Sequence, residues 1–339
     1  MAKLLQVAVR RSVNAAITIF GIICLNYALV RLMPGVPILG NCPRGVQYTQ
    51  LCEYNALQFG LNLPPWEQFL VYLQKLFTLD WGTSYVTHRP VATILLHDLS
   101  WTLVLVGTST IITIIAGMAI GAYASMRRGK PFDYLSTGLG IFLYGMPVFW
   151  LGLVLQFAFI KNSFPSQYFS WWPVLPSQDY YDLNNPALGI VWAWDWPHVS
   201  SALLHLILPA TTLALGTLAG ISLVMRSSLI DVMTEDFVLT GKAKGLSDRQ
   251  VLRRHIFPNG LPPMVSLIAL DLAFILGGAY QVEVVFHYQG IGWETVNAIS
   301  TLDYPILQFI IVLGGAAIVV ANLISDFVLL WLDPRIKIT

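Results

Sequence analysis

Six long apolar runs constrain the fold of this chain more than any other feature of its sequence. The runs lie near residues 13–33, 101–123, 134–160, 203–225, 264–286 and 305–331. A helix needs roughly 20 apolar residues to cross a hydrocarbon core about 30 Å thick, and each run meets that length. Because the runs are continuously apolar and do not alternate, they predict helices and not the strands of a barrel. The expected fold class is an all-α polytopic membrane protein with six transmembrane helices.

The overall composition excludes an ordinary soluble protein. Of the 339 residues, 56% are hydrophobic and only 11% are charged, and the mean hydropathy is +0.66. The basic N-terminal stretch followed by an apolar run is also typical of a secretory signal. However, the run is long for a signal and no small-x-small cleavage site follows it, so we interpret it as a retained first span.

The distribution of Lys and Arg predicts the orientation of the chain in the membrane. Basic residues gather before the first span, between the second and third, after the fourth and near the C-terminus. They are Lys3, Arg10, Arg11, Arg127, Arg128, Lys130, Arg226, Lys242, Lys244, Arg249, Arg253, Arg254, Arg335 and Lys337. Segments rich in Lys and Arg face the cytoplasm. We therefore expect a multi-pass protein of the cell (cytoplasmic) membrane with both termini cytoplasmic, and nothing indicates nucleic-acid binding.

The spans divide the chain into three parts. Residues 1–33 contain the N-terminus and first span, residues 34–100 are expected to form a long extracytoplasmic segment, and residues 101–339 form the membrane core. The core includes an external loop, 161–202, and a cytoplasmic loop, 226–263. Both external segments are rich in Trp, Tyr and Pro, which indicates folded structure. Their aromatic rings suit packing against lipid headgroups, docking of a protein, or stacking on a sugar or peptide.

One stretch of the first external segment predicts a helix. Residues 64–73 begin with two prolines and place Phe69 and Leu73 four positions apart. This pattern is typical of a proline-started amphipathic helix at the membrane interface. Trp66 and Trp81 are the expected aromatic anchors.

Two of the three cysteines lie in the same predicted external segment. Cys42 and Cys52 are close enough in sequence to close a small ring in an oxidising compartment. Two free thiols explain the sequence equally well, so both states remain open. Cys24 lies within the first span and is expected to act as a small apolar residue.

Residues 236–258, called the corner segment below, form a strongly basic stretch between two apolar runs. Gly245 favours the left-handed conformation that ends a helix, and Leu246 can then fold back for an apolar contact. Ser247 followed three positions later by Gln250 predicts a capping box that starts a second helix. The final proline of the segment is expected to end that helix. The pattern predicts a helix, a tight corner and a short helix, although an ordinary basic cytoplasmic loop is an alternative.

The sequence contains no pattern typical of an enzyme. A GxxxxGK[ST] phosphate loop is absent, so ATP hydrolysis is not expected on this chain. The histidines form no HExxH motif and the cysteines form no CxxC motif, so no metal site is predicted. We expect no catalytic residues and no cofactor bound by this chain.

Acidic residues in or beside the apolar runs are candidate functional sites, because carboxylates are costly in lipid. Asp271 is the deepest on the predicted boundaries, and Glu283 lies in the same run. Both are candidates for a transport path or for pairing with another helix. Asp326 lies near the cytoplasmic end of the last run, where an ion pair with Arg335 is expected.

The corner segment resembles the signature of permease subunits in ATP-binding-cassette importers. Residues 240–246 resemble the Thr-Ala-Arg-Ala-Lys-Gly-Leu form of the dipeptide, oligopeptide and nickel group, with Gly241 and Lys242 in place of the usual Ala and Arg. Similar landmarks extend along nearly the whole chain, at residues 31–37, 80–84, 145–150, 208–209, 225–228, 283–286, 290–292, 303–305 and 333–336. Val36 replaces the usual Asp of the first landmark. The long first external segment resembles that of the first of the two permeases in such systems.

The resemblance implies a type I importer fold and a set of partners. These are a second homologous permease, two cytoplasmic ATPase subunits that hold ATP and Mg, and an extracytoplasmic solute-binding protein. The corner segment would be the coupling helix. The residues implied in ATPase coupling are Asp236, Thr240, Gly241, Lys242, Ala243, Lys244, Gly245, Leu246 and Arg249.

The expected function is ATP-driven import of di- or oligopeptides, with this chain forming half of the translocation path. Oligosaccharides and nickel chelates are alternative substrates, because the implied group carries these solutes too. A proton-coupled secondary transporter using Asp271 or Glu283 is the alternative from a different class. The corner segment argues against it, because such a transporter needs no ATPase docking site.

Overall fold

The computed structural model describes residues 2–32, 57, 60, 63–160, 163–176, 178 and 196–332. Over these residues the chain is helical and forms no strand, apart from an isolated bridge between Thr83 and Pro90. The helices in chain order are Ala2–Leu32 (α1), Pro65–Thr78 (α2), Val91–Met126 (α3), Pro131–Gly145 (α4), Val148–Phe159 (α5), Phe164–Tyr168 (α6), Trp196–Met233 (α7), Asp236–Ala243 (α8), Asp248–Val251 (α9), Phe257–Gly260 (α10), Pro262–Phe286 (α11), Ile291–Thr301 (α12) and Tyr304–Leu332 (α13).

The described helices confirm an all-α membrane protein. Four contain stretches long and apolar enough to span a membrane, namely Ala8–Leu32, Val91–Met126, Val199–Met233 and Tyr304–Ile324. The pair α4 and α5 together provides a further candidate span. The expected span at 264–286 falls on α11, where many side chains lie outside the described residues.

The expected continuous helix over 134–160 is broken in the structure. Helices α4 and α5 are bent by 106° relative to each other at Met146 and Pro147. Pro147 disfavours helical backbone in the residue before it, and Met146 is extended, with φ −84° and ψ 131°. The apolar run was continuous, but the proline interrupts the helix.

Other helix bounds also differ from those expected. Helix α3 begins at Val91, so residues 91–100 are helical and precede the expected start at 101. Helix α7 extends beyond 203–225 at both ends, and its last residues occupy the beginning of the expected loop 226–263. The length of an apolar run underestimates the length of each of these helices, because the helix ends carry polar side chains that do not belong to the apolar run.

The described chain forms two compact units. The first comprises the described parts of residues 1–11, 104–288 and 321–339. Within it, α7 packs against α4, α5 and α11. The C-terminal half of α3 also belongs here, and a Cβ added at Gly121 would lie 2.8 Å from Cβ of Met225. Only glycine therefore allows α3 to approach α7 this closely.

The second unit comprises the described parts of residues 12–103 and 289–320. Its core contains Tyr72, which is fully buried, and the amide of Asn26 donates to the Tyr72 hydroxyl at 3.1 Å and to the Gln308 carbonyl at 2.6 Å. Burial raises the pKa of Tyr72 to about 12. Helix α2 begins at the predicted prolines, and Phe69 and Leu73 pack against this core.

One predicted anchor in this unit has a different role. Trp66 is 65% exposed, as expected for an interfacial residue, but Trp81 is only 4% exposed. The Trp81 ring stacks on Phe309 with centroids 5.2 Å apart, and its indole N–H donates to the Leu76 carbonyl at 3.1 Å. The prediction of Trp81 as a membrane anchor is therefore wrong. Trp81 is a core residue whose polar group is satisfied inside the protein.

Candidate functional site

The first half of the corner segment has the predicted geometry. Helix α8 ends where Gly245 adopts the left-handed conformation, with φ +81°. The Gly245 amide donates to the Lys242 carbonyl at 2.9 Å and the Leu246 amide donates to the Gly241 carbonyl at 3.3 Å. These two bonds define a Schellman motif, which ends a helix and reverses the chain. No heavy atom lies within 4 Å of a Cβ built on Gly245, so the backbone conformation alone requires glycine.

The second half starts with the predicted capping box. The Gln250 side-chain oxygen accepts hydrogen bonds from the Ser247 amide at 2.9 Å and from the Ser247 hydroxyl at 3.0 Å. Helix α9 follows and continues into a π-helical turn, Leu252–Ile256.

The second helix does not end at Pro258, contrary to the prediction. Helix α10 continues through the proline to Gly260. A proline ring inside an α-helix clashes with the carbonyl four residues earlier. The preceding π turn, Leu252–Ile256, widens the helix at that point and accommodates the ring. The corner segment therefore leads into α11 as nearly continuous helix.

The inner side of the corner segment packs against α7 through an apolar cluster. Val238, Val251 and Ile256 are buried in this cluster. Helix α7 contributes Met225 and Leu229, both fully buried. Burying an aliphatic side chain of this size contributes about 1.5–3 kcal/mol. The corner segment is therefore held against α7 and is not a flexible loop.

The outer side of the corner segment presents most of the side chains implied in coupling. Gly241 is buried and Leu246 is half-buried, whereas the others are exposed, namely Asp236, Thr240, Lys242, Ala243, Lys244, Gly245 and Arg249. Lys242 and Asp248 form an ion pair at 3.0 Å. Both side chains are exposed, so this pair contributes at most about 1 kcal/mol.

Two exposed apolar residues of α8 were not identified from the sequence. Leu239 is 69% exposed and Phe237 is 39% exposed, whereas Val238 between them is buried. Successive residues of a helix project about 100° apart, so three consecutive apolar residues cannot all face one core. The run from 237 to 239 was the signal that some apolar side chains of this helix lie outside the core.

An ion pair beside the corner segment was also not predicted. Arg226 of α7 donates from Nη2 to Asp133 Oδ2 at 2.8 Å and from Nε to Asp133 Oδ1. The Gly129 amide donates to Asp133 Oδ2 at 2.9 Å. Asp133 is only 2% exposed. The sequence identified Arg226 only as one of several basic residues near the membrane, and no local pattern relates it to a carboxylate 93 positions away.

The predicted intramembrane acids have three different outcomes. Asp271 lies on α11, but its side chain is outside the described residues. Glu283 lies on the same helix and is fully buried. Asp326 pairs with Arg11 at 2.7 Å, while the expected partner, Arg335, lies outside the described residues. A role of Asp271 and Glu283 in a transport path stays a prediction.

The predicted cysteine pair is not described, since Cys42 and Cys52 both lie outside the described residues. Cys24 in α1 is free and half-buried. Among the residues that the structure describes, no cluster of His, Cys, Asp and Glu could hold a metal ion.

The second unit contains three buried carboxyl groups, Asp98, Glu294 and Asp303. The Ser84 hydroxyl donates to Asp303 Oδ2 at 2.5 Å. Burial raises the pKa of Glu294 to about 7, with further contributions from the Asp98 and Asp303 charges and an opposing one from a hydrogen bond with Asn297. Glu294 is therefore partly protonated near neutral pH. None of these three residues was identified as a site residue from the sequence.

Comparison with known proteins relates the whole chain to a transport family. Residues 89–338 match the family described as "Binding-protein-dependent transport system inner membrane component". The chain is 30% identical to the dipeptide transport system permease protein DppB of Escherichia coli (strain K12), over 98% of this chain and 99% of that protein. It is 30% identical to the oligopeptide transport system permease protein AppB of Bacillus subtilis (strain 168), over 97% and 98% respectively. It is 31% identical to the di/tripeptide transport system permease protein DppB of Pseudomonas aeruginosa (strain UCBPP-PA14), over 94% and 95%.

Proposed function

Because the chain belongs to the family of binding-protein-dependent transport system inner membrane components, we infer that it is a permease subunit of an ATP-binding-cassette importer for di- or oligopeptides. The observation that carries this inference is the similarity over nearly the full length of the chain to permeases named for dipeptides, oligopeptides and di/tripeptides. The breadth of the match matters because it includes the external and membrane segments as well as the corner segment.

We further propose that the corner segment docks into a cytoplasmic ATPase subunit. Three features support this role. The Schellman motif and the capping box give the segment a defined shape. The apolar cluster joins it to α7. Its outer side combines exposed basic residues with the apolar side chains of Phe237 and Leu239, a mixture suited to a protein interface.

In this proposal the ATPase subunits hydrolyse ATP, and the membrane helices of the permease move in response. ATP and Mg bind to the ATPase subunits, whose closure displaces the docked corner segment. A rigid segment transmits that displacement to α7 and to α11, which follows it directly. The membrane helices then change from an inward-open to an outward-open arrangement.

The remaining partners are a second permease and an extracytoplasmic solute-binding protein. The corner segment and both termini would face the cytoplasm of a cell membrane. The two external segments would receive the binding protein. Trp171 in one of them is 72% exposed, whereas Trp172 stacks on Phe159 and donates its indole N–H to the Ala158 carbonyl at 2.9 Å. An ordered base with an exposed ring is a suitable docking element.

The relatives' names favour peptides over the oligosaccharide and nickel-chelate alternatives. Family membership favours ATP over a proton gradient as the energy source. The test is uptake of radiolabelled alanyl-alanine by proteoliposomes that contain the complete importer. We expect uptake that requires ATP and the ATPase subunits. Uptake driven by a pH gradient without those subunits would establish the secondary transporter instead.

A matched competition separates the substrate classes. Unlabelled dipeptide should reduce the uptake of the labelled peptide, whereas a trisaccharide or a nickel chelate at the same concentration should not. If the importer does not transport the dipeptide but transports one of the other two solutes, the peptide assignment is wrong while the family assignment stands.

A further inference from the structure

Asp133 and Arg226 join two helices of the first unit through a bidentate ion pair. Two hydrogen bonds connect the guanidinium to the carboxylate, and Asp133 is almost fully buried. A bidentate pair constrains the relative orientation of its partners as well as their distance. A sliding movement between the two helices would therefore have to break it.

Arg226 lies on the part of α7 that carries the corner segment. The neighbouring Met225 and, one turn later, Leu229 are both buried in the cluster that holds the corner segment. Helix α7 continues without interruption from Arg226 to Met233, just before α8 begins at Asp236. A displacement of the corner segment must consequently move the Arg226 guanidinium.

Asp133 lies on a different helix from Arg226. It is in the first turn of α4, which leads to the 106° bend and then to α5. The same carboxylate accepts the Gly129 amide, and Gly129 has a left-handed φ of +75°. Asp133 therefore also fixes the turn that connects α3 to α4.

The C-terminal part of α3 meets α7 at the same position. A Cβ built on Gly121 would lie 2.8 Å from Cβ of Met225 and 3.2 Å from the backbone nitrogen of Arg226. Three helices of the first unit thus converge at Arg226. Stability alone explains the pair poorly, because Arg226 is partly exposed and even a fully buried ion pair can often be replaced by apolar residues without loss of stability. A directional role fits the bidentate geometry better.

We propose that Asp133 and Arg226 are positioning residues that pass the displacement of the corner segment into the broken span formed by α4 and α5. This proposal rests on the proposed docking of the corner segment to an ATPase. Without the pair, α7 would still move with the corner segment, but its movement would no longer displace α4. ATP hydrolysis would then continue with little transport.

The test uses the complete importer with its second permease, ATPases and solute-binding protein. The variants are Asp133→Asn, which removes the charge, and the double variant Asp133→Arg with Arg226→Asp, which restores the pair in reverse. Asp231→Asn is the matched control, because Asp231 is an exposed acid on α7, the helix that carries Arg226. Three quantities are measured: co-purification of the ATPases, ATP hydrolysis with the binding protein, and alanyl-alanine uptake per ATP hydrolysed.

We expect Asp133→Asn to retain the ATPases and their hydrolysis, while uptake per ATP falls at least about fivefold, the lower end of typical coupling between two sites. The double variant should recover part of this ratio, and Asp231→Asn should match the wild type. An unchanged ratio in Asp133→Asn would overturn the proposal. If Asp133→Asn fails to assemble, the double variant decides. An assembled double variant with a recovered ratio supports the proposal, and one with a low ratio overturns it.

A failure of this proposal differs from a failure of the proposed function. If the wild-type chain does not bind the ATPases, or transports without ATP, then the docking proposal is wrong. If the wild type is ATP-driven and Asp133→Asn transports with the same efficiency, only the role of the ion pair is wrong.

Discussion

The backbone amide of Leu246 donates to the carbonyl of Gly241 at 3.3 Å, and this bond closes the chain reversal across Gly245. The reversal places the exposed basic residues of α8 and α9 on one continuous segment. Its geometry depends on a single left-handed residue, which makes the corner segment open to a direct test.

Gly245→Val should impair docking of the ATPase. The left-handed conformation costs a residue with a Cβ about 1–2 kcal/mol, and a β-branched residue tolerates it especially poorly. We expect reduced co-purification of the ATPase subunits and reduced ATP-driven uptake. Gly245→Asn is the control, because asparagine adopts the left-handed conformation more readily than valine and no heavy atom lies within 4 Å of a Cβ built at this position. Normal assembly and uptake by Gly245→Val would contradict the proposed role of the corner.

Leu239 and Val238 should respond in opposite ways to truncation. Leu239 is 69% exposed, so Leu239→Ser should leave the melting temperature nearly unchanged and weaken ATPase binding. Val238 is 5% exposed, and Val238→Ala should destabilise the permease by about 1–3 kcal/mol. Thermal unfolding of the permease and titration with purified ATPase measure the two effects. Unchanged ATPase affinity in Leu239→Ser would exclude this residue from the interface.

Glu294 should make the stability of the second unit depend on pH. Burial raises the pKa of Glu294 from 4.5 to about 7, so the folded state holds the proton more tightly than the unfolded state. Stability is then highest below pH 4.5 and falls as the pH rises toward 7. The total effect is on the order of 3 kcal/mol, at about 1.36 kcal/mol for each pKa unit.

Glu294→Gln removes this dependence and is measured by thermal unfolding between pH 5 and pH 8. The variant should be more stable than the wild type at pH 8, and the difference should shrink toward pH 5. Glu235→Gln is the control, since Glu235 is exposed and lies in the other unit. A constant difference across this range would show that Glu294 does not change its protonation there.

Trp81 and Trp66 test the distinction between a core residue and an interfacial one. Trp81→Ala should destabilise the permease by about 3–5 kcal/mol, because it removes a buried ring stacked on Phe309. Trp66→Ala should change stability by no more than about 0.5 kcal/mol, since its ring is largely exposed. Thermal unfolding in nanodiscs measures both. Equal effects of the two substitutions would contradict the burial of Trp81.

Local features of the corner segment and of α2 were predictable because a few neighbouring residues encode them. A left-handed glycine, a capping box and a proline-started helix each depend on backbone conformation and on hydrogen bonds within one or two turns. The structure confirms these features at Gly245, at Ser247 with Gln250, and at Pro65. The predicted helix end at Pro258 was wrong, because a π turn in the preceding residues accommodates the proline.

The sequence by itself determined that the chain is helical and membrane-embedded, and it located the corner segment, because apolar length and turn chemistry are local properties. Only the tertiary structure decided that Arg226 meets Asp133, that Arg11 meets Asp326 across 315 positions, and that Trp81 lies in a core. It also decided the 106° angle between α4 and α5. Partners, burial and pKa depend on which helices pack together, and that choice arises from the whole chain and not from the residues beside each side chain.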